Sequence, residues 1–372
     1  MTLSRRKTLA LIGGGAVLAA GAGAGTFAAT RTPHAAIAPW TTAGTPTDPR
    51  LAALSWALLA PNPHNRQPWL AELAGTETIR LFRDPARDLP QTDPFGRQLT
   101  IGMGCFLELM VIAASATGHA VDLDIFPDGS DPHAPVATAR LIPRAVAGVD
   151  PLFAHIPARR TTRDAYRDQP PTPEAVAALS EYAQVVTDAR SVAQLRDLTW
   201  QGWLTEGLTP AAHGETVDLM RIGKAEIEAN PDGIALGGAF LETLALLGIL
   251  TRASQRDPDS RGFRTGVEMY EKIIAATPAF AVITTDSNDP ATHIDVGRRW
   301  MRFDLTATAL GLRVHPLLQV TQEYPEMADL RAQAQAHLAP PGATVQMIAR
   351  LGPGPTVGPA PRWPLETRLR HA

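Results

Sequence analysis

Apolar positions recur at helical spacing over residues 51–59, and the ten residues after them, Ala60-Pro61-Asn62-Pro63-His64-Asn65-Arg66-Gln67-Pro68-Trp69, keep neither helical nor strand periodicity. Pro61, Pro63 and Pro68 fix φ there and lower the entropy cost of holding three amide side chains, Asn62, Asn65 and Gln67, in place. The stretch reads as a loop built to present groups, or as a plain connector that caps the next element. Residues 77–82 alternate as a strand. Residues 104–118 are apolar almost all round, which marks a buried helix. Residues 279–285 form a second clear strand, a helix is expected over 293–310, and residues 313–319 return to strand character.

The pattern divides the chain. Residues 1–30 stand apart, residues 31–47 are rich in Thr, Pro and Ala and read as a linker, and globular sequence begins near Asp48. Shifting the chain by 193 residues lays 104–121 over 297–314, with Gly104, Ala114, Ala116, Gly118 and Val121 on Gly297, Ala307, Ala309, Gly311 and Val314. These identities, all small or apolar, suggest a repeated unit: a first over 48–150 and a second over 151–372. Residues 196–262 interrupt the second unit and read as a lid over a site or as a structural excursion. Within them, Glu242 and flanking Gly pairs make 234–250 a packed helical hairpin rather than a membrane span.

Composition narrows the function classes. The chain has 372 residues, 45% apolar and 19% charged, with net charge −3. It is globular, and nothing basic enough for a nucleic-acid footprint appears. The one cysteine, Cys105, rules out an intramolecular disulfide and a multi-Cys metal site, and its apolar setting makes it a buried small hydrophobe. The ten histidines are scattered without ligand spacing, so no metal site is expected. No glycine-rich dinucleotide fingerprint comes after a strand. Asp93 to Arg97 is read as a turn and ion pair bracing the first unit's helix. Trp56, Trp69, Trp200 and Trp300 are read as core residues between the two units.

Ser4-Arg5-Arg6-Lys7 precedes an uncharged Gly/Ala-rich run, the pattern of an export signal. The twin arginine resembles a bacterial Tat signal, which implies the Tat translocase as a partner and the periplasm or cell envelope as destination. A Sec signal and an uncleaved amino-terminal membrane anchor are the alternatives.

Arg159-Arg160-Thr161-Thr162-Arg163 interleaves guanidinium groups with hydroxyls, a set suited to a phosphate, although a solvated basic segment has the same composition. Taken with Asn65-x-Gln67-Pro68-Trp69, the segment resembles the FMN-dependent nitroreductase superfamily, and the order of motifs resembles its Acg branch, with two units fused in one chain. The resemblance implies an α+β fold of mixed, mainly antiparallel sheets wrapped by helices. It also implies an internal pseudo-dimer that is sufficient as a monomer, with one FMN site per chain. It assigns Asn62, Asn65 and Gln67 to the flavin ring, and Arg159, Thr161, Arg163 and Arg362 to the phosphate. The stretch Pro316-Leu317-Leu318-Gln319 resembles the family segment whose backbone passes the flavin's reactive edge, where many relatives carry Gly. No acid/base pair is implied, because the cofactor carries the chemistry. The implied function is an exported oxidoreductase acting on a small-molecule substrate or electron acceptor. The alternative is a non-catalytic protein that stores or sequesters FMN.

Overall fold

The computed structural model describes residues 30–144 and 148–370. The export segment, apart from Thr30, lies outside the described residues. Two four-stranded antiparallel sheets carry the fold. The first takes β1 (Trp69–Ala74), β2 (Thr78–Arg83), β3 (His119–Ile125) and β4 (Ala137–Pro143) in the order β1-β2-β4-β3. The second takes β5 (Gln184–Val186), β8 (Ala279–Thr285), β9 (Arg313–Pro316) and β10 (Thr344–Gly352) in the order β5-β8-β10-β9. A small parallel pair, β6 (Met220–Ile222) with β7 (Ile234–Leu236), lies in the 196–262 insertion. The architecture is α+β, with antiparallel pairing in both main sheets.

Each half contributes one long helix to the centre. The first, Arg97–Ala116, starts where Asp93 accepts hydrogen bonds from the backbone N–H of Gln98 and Leu99, at 3.1 and 2.8 Å. The second, Pro290–Ala309, has Asp289 as N-cap, accepting from Thr292 N at 2.9 Å, with Pro290 at the first helical position. The helices cross at Gly104 and Gly297. A Cβ on Gly104 would overlap the Ile294 carbonyl oxygen, and one on Gly297 would overlap that of Ile101. Only glycine permits backbones this close. The Cys105 thiol donates to Gly297 O at 3.3 Å. Beside the crossing, Glu108, 1% exposed, accepts from Arg298 at 2.7 Å and Arg302 at 2.6 Å. The first helix is long and apolar enough to cross a membrane, and here it is the buried centre of the fold.

Three stretches differ from what the sequence suggests. Residues 31–47 are not a bare linker: they form short helices at His34–Ile37 and Pro39–Thr42 and bury Ala36 and Trp40, because Trp40 finds a partner in the Ala360 carbonyl at 2.8 Å. Residues 234–250 are not a helical hairpin, since Gly238 at φ 96° separates a three-residue strand from the helix Ala239–Leu246. Arg97 does not close an ion pair on Asp93. Its guanidinium reaches Glu323 at 3.4 Å and donates to the carbonyls of Thr321 and Gln346, binding the first helix to the second half.

Trp69 and Trp300 lie in the central core at 1 and 2% exposure, and Trp56 packs against its edge. Trp200 belongs instead to a second cluster, stacked on Trp203. The chain then returns to the first half. Arg370 N donates to Ala71 O at 2.9 Å and Leu369 bridges Ala71, so the carboxyl-terminal tail covers the free edge of β1.

Candidate functional site

The 60–69 loop is held in an unusual backbone. His64, Asn65 and Gln67 all have positive φ, at 47°, 52° and 52°, a region that costs a side-chain-bearing residue on the order of 1–3 kcal/mol each. The surroundings impose it. Asn62 Oδ1 accepts from Gln67 N at 2.7 Å. The buried Gln67 amide donates to Pro231 O at 2.7 Å and accepts from Trp363 N at 2.9 Å. Asn65 Nδ2 donates to Pro361 O at 3.1 Å, and its Oδ1 accepts from Arg362 at 2.7 Å. The three amides therefore meet in one place, joined by the tail and by the insertion.

Arg362 closes the helix Pro49–Ala57. Its guanidinium donates to the carbonyls of Leu58, Leu59, Ala60 and Pro361 as well as to Asn65. A cation over the last carbonyls of a helix satisfies groups that have no intrahelical partner. Arg159 donates to Leu59 O at 3.2 Å and pairs with the buried Asp304 carboxylate at 3.1 Å. Arg160 lies on the Trp40 ring at 4.1 Å, with Arg362 at 5.6 Å from the same ring.

Positive charge is in excess here. Burial, with Arg159 and Arg160 adding to it, pushes Arg362 down to about 9; burial, with Arg159 and Arg313, pushes Arg160 down to about 10. Burial holds Asp304 above the usual carboxylate range against the pull of Arg159. Three buried polar atoms in this segment, Arg159 Nε, Arg160 Nε and Thr162 Oγ1, have no hydrogen-bond partner.

Thr161 bridges Val314 of β9, which brings the arginine segment beside that strand. Arg163 is exposed and makes no hydrogen bond or ion pair among the described residues. Its charge nevertheless reaches two histidines. Burial, then Arg163 and Arg66, pushes His64 down to about 4; burial, then Arg163 and Arg350, holds His315 well below the ordinary histidine range. Asn62, Asn65, Gln67, Arg159, Thr161, Arg163 and Arg362 thus surround one region. Arg160, part of the same arginine segment, lies here too, and Trp40, His64, Asp304 and His315 join it without having been assigned to a site from the sequence. His64 could have been noticed, since it sits inside the proline loop, whereas Trp40 and Asp304 carry no local signal.

The remaining candidates lie differently. Pro316 ends β9, Leu317 is buried in the second core with its N–H on Ile348 O at 2.8 Å, and Gln319 packs against Gly202 beside Glu206. Leu317 therefore directs its side chain into the second core, and Gln319 toward the insertion. Glu206 is buried there, accepting from Gln322 at 2.7 Å, and burial pushes its carboxyl up to about 7.

The insertion covers the proline loop through Asp232. This buried carboxylate pairs with Arg66 at 3.3 Å, Arg87 at 2.7 Å and Arg221 at 2.8 Å. Gly233 N adds a hydrogen bond to Asn65 O at 3.3 Å. Among the described residues no group of three His, Cys, Asp or Glu side chains is placed to hold a metal.

No protein-family model matches the chain. It is similar over most of its length to the putative NAD(P)H nitroreductase Rv3131 of Mycobacterium tuberculosis, with 27% identity over 305 residues covering 81% of this chain and 84% of the relative. A shorter stretch of 86 residues is 37% identical to the putative NAD(P)H nitroreductase acg of the same organism, covering 23% of this chain and 26% of that one. The chain is similar to proteins named as putative nitroreductases. Among solved structures, a putative nitroreductase from Anabaena variabilis covers 86% of this chain and 91% of its own, at 13% identity and a TM-score of 0.42. The FMN-dependent nitroreductase NfnB from Mycobacterium smegmatis, solved with NADPH, covers 59% of this chain and 96% of its own, at 19% identity and a TM-score of 0.37.

Proposed function

We propose that this chain is an FMN-binding oxidoreductase of the nitroreductase-like kind, built of two such units, and exported through the Tat translocase to the periplasm or cell envelope. The observation that carries the reading is the excess positive charge around 159–163, with Arg159 Nε, Arg160 Nε and Thr162 Oγ1 buried and unpartnered. An unpartnered buried donor is costly, and a phosphate monoester supplies the acceptors and the negative charge that this segment lacks. Similarity to relatives named NAD(P)H nitroreductases supports the same reading.

FMN would supply transfer of a hydride or of electrons to a small-molecule acceptor. Arg160, Thr162 and the exposed Arg163 would hold the phosphate. Asn62, His64 and Asn65 would border the ring, with the loop's strained backbone fixed in advance by Gln67. The insertion, fastened by Asp232, would exclude water from that side.

The second reading, storage of FMN without turnover, is favoured by one observation: the insertion hydrogen-bonds the loop directly, through Pro231 O to Gln67 and Gly233 N to Asn65. The visible spectrum of the purified chain, before and after anaerobic NADPH, separates the two. Flavin bands that bleach support the oxidoreductase. Bands that persist support storage, and a colourless chain that FMN cannot reconstitute overturns both.

A further inference from the structure

The helix Ala189–Leu208 ends on a buried carboxylate that has no cationic partner. Glu206, 9% exposed, accepts from Gln322 Nε2 at 2.7 Å and from the Thr216 hydroxyl at 3.4 Å, and the Gln319 amide is turned to it as well. Among the described residues no arginine, lysine or histidine forms an ion pair with it. Glu215 adds negative charge from the next helix, Pro210–Asp218, while its own oxygens are taken up by Gln91 N, Thr92 N and the Thr92 hydroxyl. Buried carboxylates are ordinarily paired with a cationic side chain or ligate a metal ion.

Three further oxygens meet there without partners. Gln319 Oε1, Gln322 Oε1 and Tyr324 OH are buried and make no hydrogen bond, with Gln322 4% and Tyr324 8% exposed. Both amides are held against the carboxylate, and Glu206 is the charge that bears most on the Tyr324 hydroxyl. A proton on Glu206 would serve one acceptor and leave the rest. A water would serve two and leave the carboxylate charge uncompensated. A hard cation keeps its oxygens about 2.3–2.6 Å away, so neighbouring ligands stand roughly 3.3–3.7 Å apart, and oxygens that share a site without bonding one another suit that spacing. One carboxylate balances one positive charge. Carboxylate, amide and hydroxyl oxygens are the ligands of hard cations rather than of zinc or copper.

We propose that Glu206, Gln319, Gln322 and Tyr324 form the oxygen shell of a monovalent alkali cation, sodium or potassium. Bound there, the ion ties the insertion, through Glu206, to the 319–324 stretch of the second half, as Asp232 ties it to the proline loop. The site is independent of the flavin reading.

The full chain as purified is melted in sodium, potassium and choline chloride at equal ionic strength. The melting temperature is expected to rise by a few degrees in sodium or potassium over choline and to saturate with concentration, the resident ion being the one that saturates lower. Equal melting in all three salts overturns the proposal and leaves Glu206 holding a proton; so does a rise that never saturates, which is general screening. Tyr324→Phe removes a partnerless hydroxyl. It is expected to melt no lower than the parent in choline, yet to need severalfold more cation for half the effect, and an unmoved midpoint overturns the assignment. Glu206→Gln is expected to lose the cation response altogether, and a full response retained in that variant places the ion elsewhere. Where Glu206→Gln fails to fold, Tyr324→Phe decides alone.

Discussion

Gly104 and Gly297 face each other where the two long helices cross, and a Cβ built on Gly104 would stand 2.9 Å from the Cα of Gly297. The two positions are also the ones that coincide when the sequence is shifted by 193 residues. Gly297→Ala would drive its methyl into the Ile101 carbonyl, a backbone atom that cannot swing away. The expected loss is about 3 kcal/mol or more, since overpacking against backbone lies at the upper end of such costs. Gly266→Ala, on an open helical face, is expected to be neutral or stabilising by up to about 1 kcal/mol. Urea denaturation of both variants tests the contrast, and similar stabilities would mean that the crossing is loose.

Asp232 holds three arginines from the first half and the insertion together. Asp232→Asn leaves their charges facing one another, and removal of one member of a buried ion pair costs about 3–5 kcal/mol. Limited proteolysis should then show new cleavage within residues 219–236. A cover that stays resistant, with an unchanged melting temperature, would exclude Asp232 as the fastening.

Glu206 sets a pH dependence of stability. Its carboxyl is raised to about 7 in the fold, chiefly by burial, with Glu215 adding to it and Gln322, Thr216 and Gln319 opposing, while Tyr324 lies nearby. The unfolded chain ionises near the ordinary value of about 4.3, so between that pH and about 7 the folded state holds the extra proton. The contribution is fully present below the unfolded value and is lost as pH rises through 7, on the order of 3 kcal/mol in all. Glu206→Gln should flatten the stability profile across that window. His64 acts in the opposite sense: lowered to about 4, it contributes stability above the ordinary histidine value that is lost as pH falls through 4.

Arg163 has charge without contacts. Arg163→Gln is expected to leave stability within about 0.5 kcal/mol, as for other surface changes. It should raise the His64 pKa, measured by NMR titration, and it should weaken retention of FMN. A drop in melting temperature with an unmoved His64 would show that Arg163 is structural instead.

Trp69 is 1% exposed and packs on Phe106 with ring centroids 4.9 Å apart. Trp69→Ala should cost about 3–5 kcal/mol, with no effect on flavin beyond that expected from unfolding. Intact stability with lost flavin would place Trp69 in the site.

The sequence by itself determined the elements whose reasons are local. Alternation over 77–82 marks a strand because side chains point to opposite faces, the short apolar run over 279–285 marks a strand buried on both faces, and the all-round apolar stretch at 104–118 marks a helix with no face left for water. The proline loop and the arginine segment were visible for the same reason, since each carries its chemistry within a few residues. Tertiary structure alone decided what lies across the chain. It brought Trp40, from the stretch that reads as a linker, under Arg160, set Arg97 on Glu323 rather than Asp93, and folded the tail back so that Arg362 closes a helix near the start of the fold. It also turned Glu242 inward and Phe240 outward. A buried carboxylate opposes the preference that sequence reading relies on, and the Lys224 N–H and the Arg31 guanidinium, both distant in the chain, supply the partners that hold Glu242 there.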